Sequence, residues 1–301
     1  MTHTHIKARL VIVFFMLLIN LTFAVAQKKE QPTQVVIVEM NDGNKIQGKI
    51  LEKSGDTVVI ESITLGKLML STKNIKSIVD VNPEQMKNGE YWFENPHATR
   101  NFFAPTGFGL HKGEGYYQNV MVFVHQVSYG FTDNFTVGAG FDIIGPITGH
   151  TPYMMYVTPK VSVPVSKNFH LGGGALIGTF GGDAFEGNRT TAGILYGVGT
   201  VGNTNHNATL GIGYGLENGN FAQRPVFMLG GQTRVGRKFS LMTENYFLSE
   251  FGLLTFGCRF MNTSFAFDFG VAKPLLFNED DDISFAIPYL SVSFPFGKKR
   301  K

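Results

Sequence analysis

Residues 265–272 read FAFDFGVA, with phenylalanine or valine at each odd position and alanine, aspartate or glycine at each even one. Side chains alternate between the two faces of a β-strand, so this stretch places three phenylalanines and Val271 on one face. The other face carries only small residues and Asp268. A strand with one continuous apolar face and one small or polar face is typical of a transmembrane β-barrel, whose apolar face contacts lipid.

Other segments repeat this pattern. Residues 209–216 put three glycines and Thr209 opposite leucine, isoleucine and tyrosine, and residues 135–141 alternate in the same way. The chain of 301 residues contains 36 Gly and 28 Phe but one Trp and one Cys, which is unusual for a helical or α/β enzyme. Glycine is depleted in ordinary strands and recurs where strands bend or approach other groups closely. The composition therefore favours a barrel with a crowded lumen.

The connections between the segments alternate in length from Arg100 to Phe296. Tight turns fall at 132–134, 166–168, 203–207, 236–238 and 262–264, and longer connections at 111–115, 145–152, 180–189, 217–224, 249–251 and 275–282. The predicted strands are 100–110, 116–130, 135–143, 153–165, 169–179, 190–202, 208–217, 225–235, 239–248, 252–261, 265–273 and 283–294. We therefore predict an all-β transmembrane antiparallel barrel over 100–296, with about twelve strands and ten as the alternative count. Short turns face the periplasm in such barrels.

The amino terminus predicts secretion. Lys7 and Arg9 precede an apolar run over 10–23, and the sequence AVA follows immediately before Gln27. A basic segment, a short apolar segment and an A-x-A site predict a signal peptide over 1–26, cleaved between Ala26 and Gln27; an uncleaved amino-terminal helix is the alternative. Cleavage removes two of the 26 basic residues and none of the 23 acidic ones, and so leaves a nearly neutral chain. Nucleic acid is therefore not an expected partner.

Residues 34–80 form a predicted small β domain that contains no Phe, Tyr or Trp. An Asp42-Gly43 pair between two strand-like runs predicts a type I′ hairpin, in which both central residues have positive φ. Five short strands, with one helical turn at 72–75 before the last, resemble the SH3-like or Sm-like small barrel. The resemblance implies binding to a partner, which in the periplasm would be a protein or murein. A structural spacer is the alternative.

Two further segments flank the predicted barrel. Residues 81–99 form an aromatic-rich linker that contains Trp92, the one tryptophan of the chain. Aromatic residues gather at membrane interfaces, so the segment is either an anchoring band or a plug edge, or else a packed linker between domains. Residues 297–301 read GKKRK and form a basic tail, where barrels of this class commonly end on an aromatic residue. The tail therefore leaves a soluble secreted β-protein as an alternative.

Three charged residues interrupt consecutive predicted strands: Glu244, Arg259 and Asp268. An Arg facing lipid at mid-membrane costs about 2–4 kcal/mol, so we expect all three to face the lumen. Pairing about the turn at 262–264 sets Arg259 opposite Ala266, with Asp268 as its diagonal neighbour on the same face. The cluster is interpreted either as a selectivity element of a pore or as a structural network that fills a closed lumen.

The segments NPHATR (95–100) and KGEGYYQN (112–119), together with the strand pattern, resemble uncharacterised outer-membrane β-barrel proteins of Bacteroidota-type bacteria. The resemblance implies a location in the cell outer membrane, in contact with its lipid, but no activity.

The sequence predicts no catalytic centre, no cofactor and no metal ligands. The acidic run at 278–282 lacks the spacing of a calcium loop and is interpreted as a solvated loop. The leading hypothesis is a porin-like channel or binding barrel for an unidentified small solute. A structural or adhesive surface protein is the first alternative, and a lipid-modifying hydrolase or acyltransferase the second. Histidine, serine and carboxylate groups converging at one rim would favour the enzyme.

Overall fold

The alternating segments pair side by side in the computed structural model of the chain. The structure describes residues 35–62, 64–81, 85–87, 90–182, 188–277 and 285–297. Ala26, Gln27, the acidic run at 278–282 and residues 298–301 lie outside these ranges. The chain divides into two compact units between Gly89 and Glu90, and each is described by itself.

The first unit contains a five-stranded antiparallel sheet in the order β4-β3-β2-β1-β5. Its strands are β1 Val35–Met40, β2 Lys45–Ser54, β3 Thr57–Ser62, β4 Gly66–Ser71 and β5 Ile75–Val81, with one 3₁₀ turn at Thr72–Asn74. A short strand β6 follows at Met86–Lys87. Four buried aliphatic side chains form the core, and they come from β1 and β3: Val36, Val38, Val58 and Ile60.

The hairpin between β1 and β2 differs from the predicted type I′ turn. Gly43 alone has positive φ (86°), while Asp42 does not. The Gly43 amide donates to the Met40 carbonyl at 3.0 Å, and the Asp42 carboxylate accepts from the Asn44 amide at 2.9 Å. The Asp42 side chain thus stabilises a longer loop in which Gly43 has the left-handed conformation. The Asp-Gly dipeptide alone does not distinguish this loop from a two-residue type I′ turn.

The second unit is a closed barrel of twelve antiparallel strands. After a two-residue strand β7 at Glu90–Tyr91, the barrel strands are β8 Glu114–Val120, β9 Val124–Gly130, β10 Phe135–Asp142, β11 Met154–Ser166, β12 Phe169–Gly181, β13 Arg189–Gly202, β14 His206–Glu217, β16 Val226–Gly236, β17 Phe239–Phe247, β18 Phe251–Met261, β19 Ala266–Leu276 and β20 Ile287–Gly297. A two-residue strand β15, Asn220–Phe221, extends one connection. Closure comes from β20, which pairs with β8 so that Ser293 lies opposite Gln118.

The first barrel strands differ from the prediction. Residues 100–110 form no strand, and the predicted strand 116–130 is a hairpin of β8 and β9. Met121 and Val122 have φ of 52° and 70°, and the chain turns there between β8 and β9. The sequence around this turn is apolar on both faces, so it resembles a continuous strand. Residues 100–110 contain Pro105, which lacks the amide that a central strand needs. The strand number is nevertheless twelve, because one predicted strand is lost and one is divided.

The outer face of the barrel is apolar around its circumference. Many large apolar side chains on it are more than a third exposed, including Phe141, Val157, Leu195, Leu210, Phe227, Leu241, Phe256, Phe269 and Phe294. The small or polar residues between them point inward, as the alternation in 265–272 predicts. This is the surface that lipid requires of a transmembrane barrel. Among the described residues, no helix is long and apolar enough to cross a membrane.

Candidate functional site

The lumen of the barrel is the candidate site, and its own amino-terminal segment occupies much of it. We call residues 93–111 the plug. The plug begins at Phe93, which packs against Met261 and Ala266 beside the 262–265 turn. It reaches its far point near Phe102–Ala104 and returns to His111, whose carbonyl accepts from the Glu114 amide at the start of β8. Both ends of the plug therefore lie at the barrel end with the short turns.

An ion cluster binds one side of the plug. The Asp268 carboxylate accepts from Arg259 Nε at 2.6 Å, Arg259 Nη2 at 2.9 Å and Arg100 Nη1 at 3.1 Å. Arg259 and Asp268 are fully buried, and Arg100 is 4% exposed. Arg259 also donates to the plug carbonyls of His97 and Asn101, at 2.7 and 2.8 Å. The Arg259–Asp268 pair of the barrel wall is thereby linked to Arg100 of the plug and to the plug backbone.

The register differs from the predicted one, since Asp268 lies directly opposite Arg259 and Ala266 lies opposite Met261. Four residues, 262–265, form the turn, and the Asn262 side chain accepts from the amides of Ser264 and Phe265 at 2.7 and 2.8 Å. The turn is one residue longer than predicted, so the pairing shifts. Direct opposition brings the two charged groups together without the reach that a diagonal pair needs.

Glu244 lies apart from this ion pair and binds the far point of the plug. Its Oε2 accepts from the amides of Phe103 and Ala104, both at 3.0 Å, and its Oε1 accepts from the Tyr246 hydroxyl at 2.8 Å. Glu244 is 3% exposed. The predicted cluster of three residues is therefore two groups, and both hold the plug.

The opposite wall also binds the plug backbone. Lys160 Nζ donates to the carbonyls of Phe108 and Thr99, at 2.5 and 3.3 Å. The Thr200 hydroxyl oxygen accepts from the Gly107 amide at 2.7 Å. These residues are buried, and Thr200 is fully inaccessible to solvent. Irregular backbone is tolerated inside a barrel because wall side chains satisfy its polar groups.

Arg234 holds the start of the plug. Its Nη1 donates to the Phe93 carbonyl at 2.7 Å, and its guanidinium lies over the rings of Phe93 and Trp92 at 4.5 and 5.1 Å from the ring centroids. Asn95 donates to the Thr204 carbonyl in a short turn at 2.8 Å. Of the interpretations left open for the aromatic segment, the position of these rings favours the plug edge over a membrane anchor.

A cavity of about 470 Å³ lies between the plug and the barrel wall, within the range of roughly 300–1,000 Å³ usual for small-molecule sites. Phe102, Phe103 and Ala104 of the plug line it from below. Most of the wall is aliphatic or aromatic, and four tyrosines reach it from four different strands: Tyr116, Tyr196, Tyr246 and Tyr289. An apolar concave surface of this kind favours binding of apolar molecules, because binding removes their surface from water.

Inward-facing glycines let large side chains lie flat against the wall. A Cβ at Gly140 would lie 2.4 Å from the Tyr156 ring, and a Cβ at Gly174 would lie 2.7 Å from the Tyr196 hydroxyl. Such contacts are closer than packed atoms approach, so both positions require glycine while the tyrosines keep these places. The alternating glycines seen in the sequence therefore shape the cavity, although the sequence does not show which tyrosines they accept.

A serine and a histidine meet inside the plug region, which bears on the enzyme alternative. Ser293 Oγ lies 3.1 Å from His97 Nδ1. Their exposed fractions are 0% and 1%, and the neighbouring Asp268 binds arginines. Because both side chains are closed to solvent, the geometry does not present a nucleophile to a substrate.

The site residues missed at the sequence level are Arg100, Lys160, Arg234 and the plug as a whole. Arg100 and Lys160 lie in segments that were predicted as strands. The presence of a charged residue in each predicted strand was the signal that could have indicated a lumen-facing site residue. Lys160 binds backbone carbonyls distant in sequence, and Arg100 binds the distant side chains of Asp268 and Ser293, which no local pattern indicates.

No family model matches the chain, and no curated protein matches it. Among solved structures, the KdgM porin in complex with disordered oligogalacturonate is similar at 8% identity and a TM-score of 0.44, over 61% of this chain and 98% of that one. The NanC porin is similar at 11% identity and a TM-score of 0.39, over 60% of this chain and 98% of that one. OmpT of Vibrio cholerae is similar at 10% identity and a TM-score of 0.35, over 88% of this chain and 95% of that one. The barrel described above rests on the strand pairing of this chain.

Proposed function

We propose that the protein is a binding barrel of the outer membrane, which takes a small and largely apolar molecule into its lumen. The observation that carries the proposal is the apolar cavity whose floor is the plug. A channel needs a continuous aqueous path, whereas here the plug packs closely against the wall at the ion cluster. Arg259, Asp268 and Ser293 have no solvent-exposed surface there.

A gated channel is the second candidate. The plug is held largely by hydrogen bonds between wall side chains and its backbone: Lys160 donates to plug carbonyls, and Glu244 accepts from plug amides. Polar contacts of this type exchange for water when a segment moves. Passage of a solute would then require displacement of the plug, with the cavity as the binding site on the route.

The proposal includes the parts of the chain around the barrel. We propose signal cleavage after Ala26, because a basic segment, a short apolar segment and an A-x-A site precede Gln27. We also propose a periplasmic position for residues 34–80, because they lie between that site and the barrel. The order β4-β3-β2-β1-β5 and the 3₁₀ turn before β5 support an SH3-like fold for the small domain. We infer a periplasmic protein or murein as its partner, and an origin in Bacteroidota-type bacteria.

The binding proposal is tested with a neutral naphthylamine probe whose fluorescence rises in apolar surroundings, added to the full mature chain in amphipol. Ile194 lines the cavity, and Ile194→Phe adds volume there. Overpacking costs about 1–3 kcal/mol, so the probe should bind about tenfold more weakly. Leu195 follows it on the outer face and is 40% exposed. Leu195→Phe is the matched control and should bind as the unmodified protein does. Equal binding by both variants would contradict the proposal.

A further inference from the structure

Lys160 is a buried cation without a carboxylate partner. It is 7% exposed and lines the cavity. An ammonium group has three donors, and the plug carbonyls of Phe108 and Thr99 accept two hydrogen bonds from it. Among the residues that the structure describes, no carboxylate lies within salt-bridge distance of Nζ. Burial of an unpaired charge is costly, and a bound anion would offset that cost.

A second donor lies beside Lys160. Gly174 pairs with Lys160 on one side and with Tyr196 on the other, so the three residues form one inward-facing row across β11, β12 and β13. The Tyr196 ring extends over Gly174, toward the strand that carries Lys160. That hydroxyl forms no hydrogen bond with any described residue, and it also lines the cavity. Two donors therefore converge on one part of the wall.

The other buried charges are satisfied elsewhere. Asp268 is held by Arg259 and Arg100, and Glu244 accepts from two plug amides and a tyrosine hydroxyl. Asp142, which faces inward near Lys160 in the sheet order, accepts from the amides of Ile144, Gly145 and Met154 at the barrel end with the longer loops. Six residues separate Met154 from Lys160 along β11, or about 20 Å, so Asp142 does not neutralise the ammonium group.

We propose that the cavity binds an amphipathic organic anion, with its carboxylate between Lys160 and Tyr196 and its apolar body against Leu176, Ile194 and Met228. This inference rests on the proposed binding function and names the chemical class of the ligand. The carboxylate accepts from both donors in a low-dielectric site, where such hydrogen bonds are strong. The remaining wall is apolar and contacts the hydrocarbon part.

The test compares octanoate with octan-1-ol, which differ in charge but share a chain length. Each competes with the neutral probe for the full mature chain in amphipol at about pH 6, where the carboxylate is still mostly ionised, at equal free aqueous concentrations set by equilibrium dialysis. A charge-assisted hydrogen bond predicts that octanoate competes at least about tenfold better than the alcohol. Tyr196→Phe should reduce this preference in part, because one of two donors is lost.

Lys160→Met should abolish the preference, measured as the ratio of octanoate to octan-1-ol competition within that variant. Lys160→Arg keeps the charge and the donors and should retain it. Lys167→Met removes a positive charge in the exposed turn between β11 and β12 and is the matched control. The folded state of each variant is checked by the mobility shift of barrels on unheated gels.

The outcomes separate the two proposals. If octanoate and octan-1-ol compete equally in the unmodified protein, the anion site is wrong and the apolar binding site stands. The anion site is also wrong if Lys160→Met folds and keeps the preference. If the probe does not bind the unmodified protein at all, the proposed binding function itself fails.

Discussion

Removal of the Asp268 carboxylate should release the plug before it unfolds the barrel. Asp268 accepts three hydrogen bonds from two buried arginines, one in the wall and one in the plug. Asp268→Ala leaves both guanidinium groups without a counter-ion. Loss of one partner of a buried ion pair costs about 3–5 kcal/mol, and the plug should bear much of that cost because Arg100 belongs to it.

A second substitution measures how far the pair is coupled. Arg259→Met removes the wall cation, so the double variant Arg259→Met/Asp268→Ala should recover part of the loss. Contacting residues typically show a coupling free energy of about 0.5–3 kcal/mol. Recovery should be incomplete, since Arg100 still lacks its carboxylate and Arg259 no longer donates to the plug carbonyls of His97 and Asn101.

The assay uses the one tryptophan of the chain, which lies at the start of the plug over Arg234. Urea titrations in lipid vesicles follow Trp92 emission for the plug and far-ultraviolet circular dichroism for the barrel. In Asp268→Ala the fluorescence transition should move to lower urea than the dichroism transition. Phe269→Leu changes the neighbouring lipid-facing side chain and should keep the two transitions together. Strict additivity of the two single changes, within about 0.5 kcal/mol, would refute the coupling.

Three further predictions concern the rest of the chain. Amino-terminal sequencing of the mature protein should begin at Gln27, and a start before residue 20 would contradict cleavage after Ala26. Residues 34–80 expressed alone should give a dispersed NMR spectrum, because their strands and core close within the segment; a disordered spectrum would contradict this. A hydrogen bond from Lys76 lowers the pKa of Glu39. The contribution of ionised Glu39 to domain stability is therefore present above about pH 4.5 and is lost as the pH falls through the lowered pKa. Glu39→Gln should remove that part of the pH dependence in thermal unfolding.

The barrel could be predicted from the sequence because each strand carries its own alternation. Residues 265–272 indicate which face meets lipid, and the same reasoning places Arg259 and Asp268 inside. Strand boundaries were less predictable where both faces are apolar. The turn at Met121 and Val122 carries no glycine, asparagine or proline, so no residue type marked it.

The plug could not be predicted as such, since its stability comes from partners distant in sequence. Residues 100–110 contain enough apolar residues to resemble a strand, and Pro105 was the one local indication against it. What holds the segment in place is a set of wall side chains, including Glu244 and Thr200, that bind its backbone groups. Likewise, the alternating glycines predict a crowded lumen, but only the three-dimensional pairing shows the row of Lys160, Gly174 and Tyr196.

The most direct test of a plugged lumen is the conductance of the mature protein in planar lipid bilayers. The unmodified protein should show no stable open-channel steps, because the plug occupies the lumen at the end with the short turns. The double variant Glu244→Gln/Asp268→Asn weakens both groups that hold the plug and should produce ion-conducting openings. Steady ohmic conductance in the unmodified protein, equal to that of the double variant, would contradict the account.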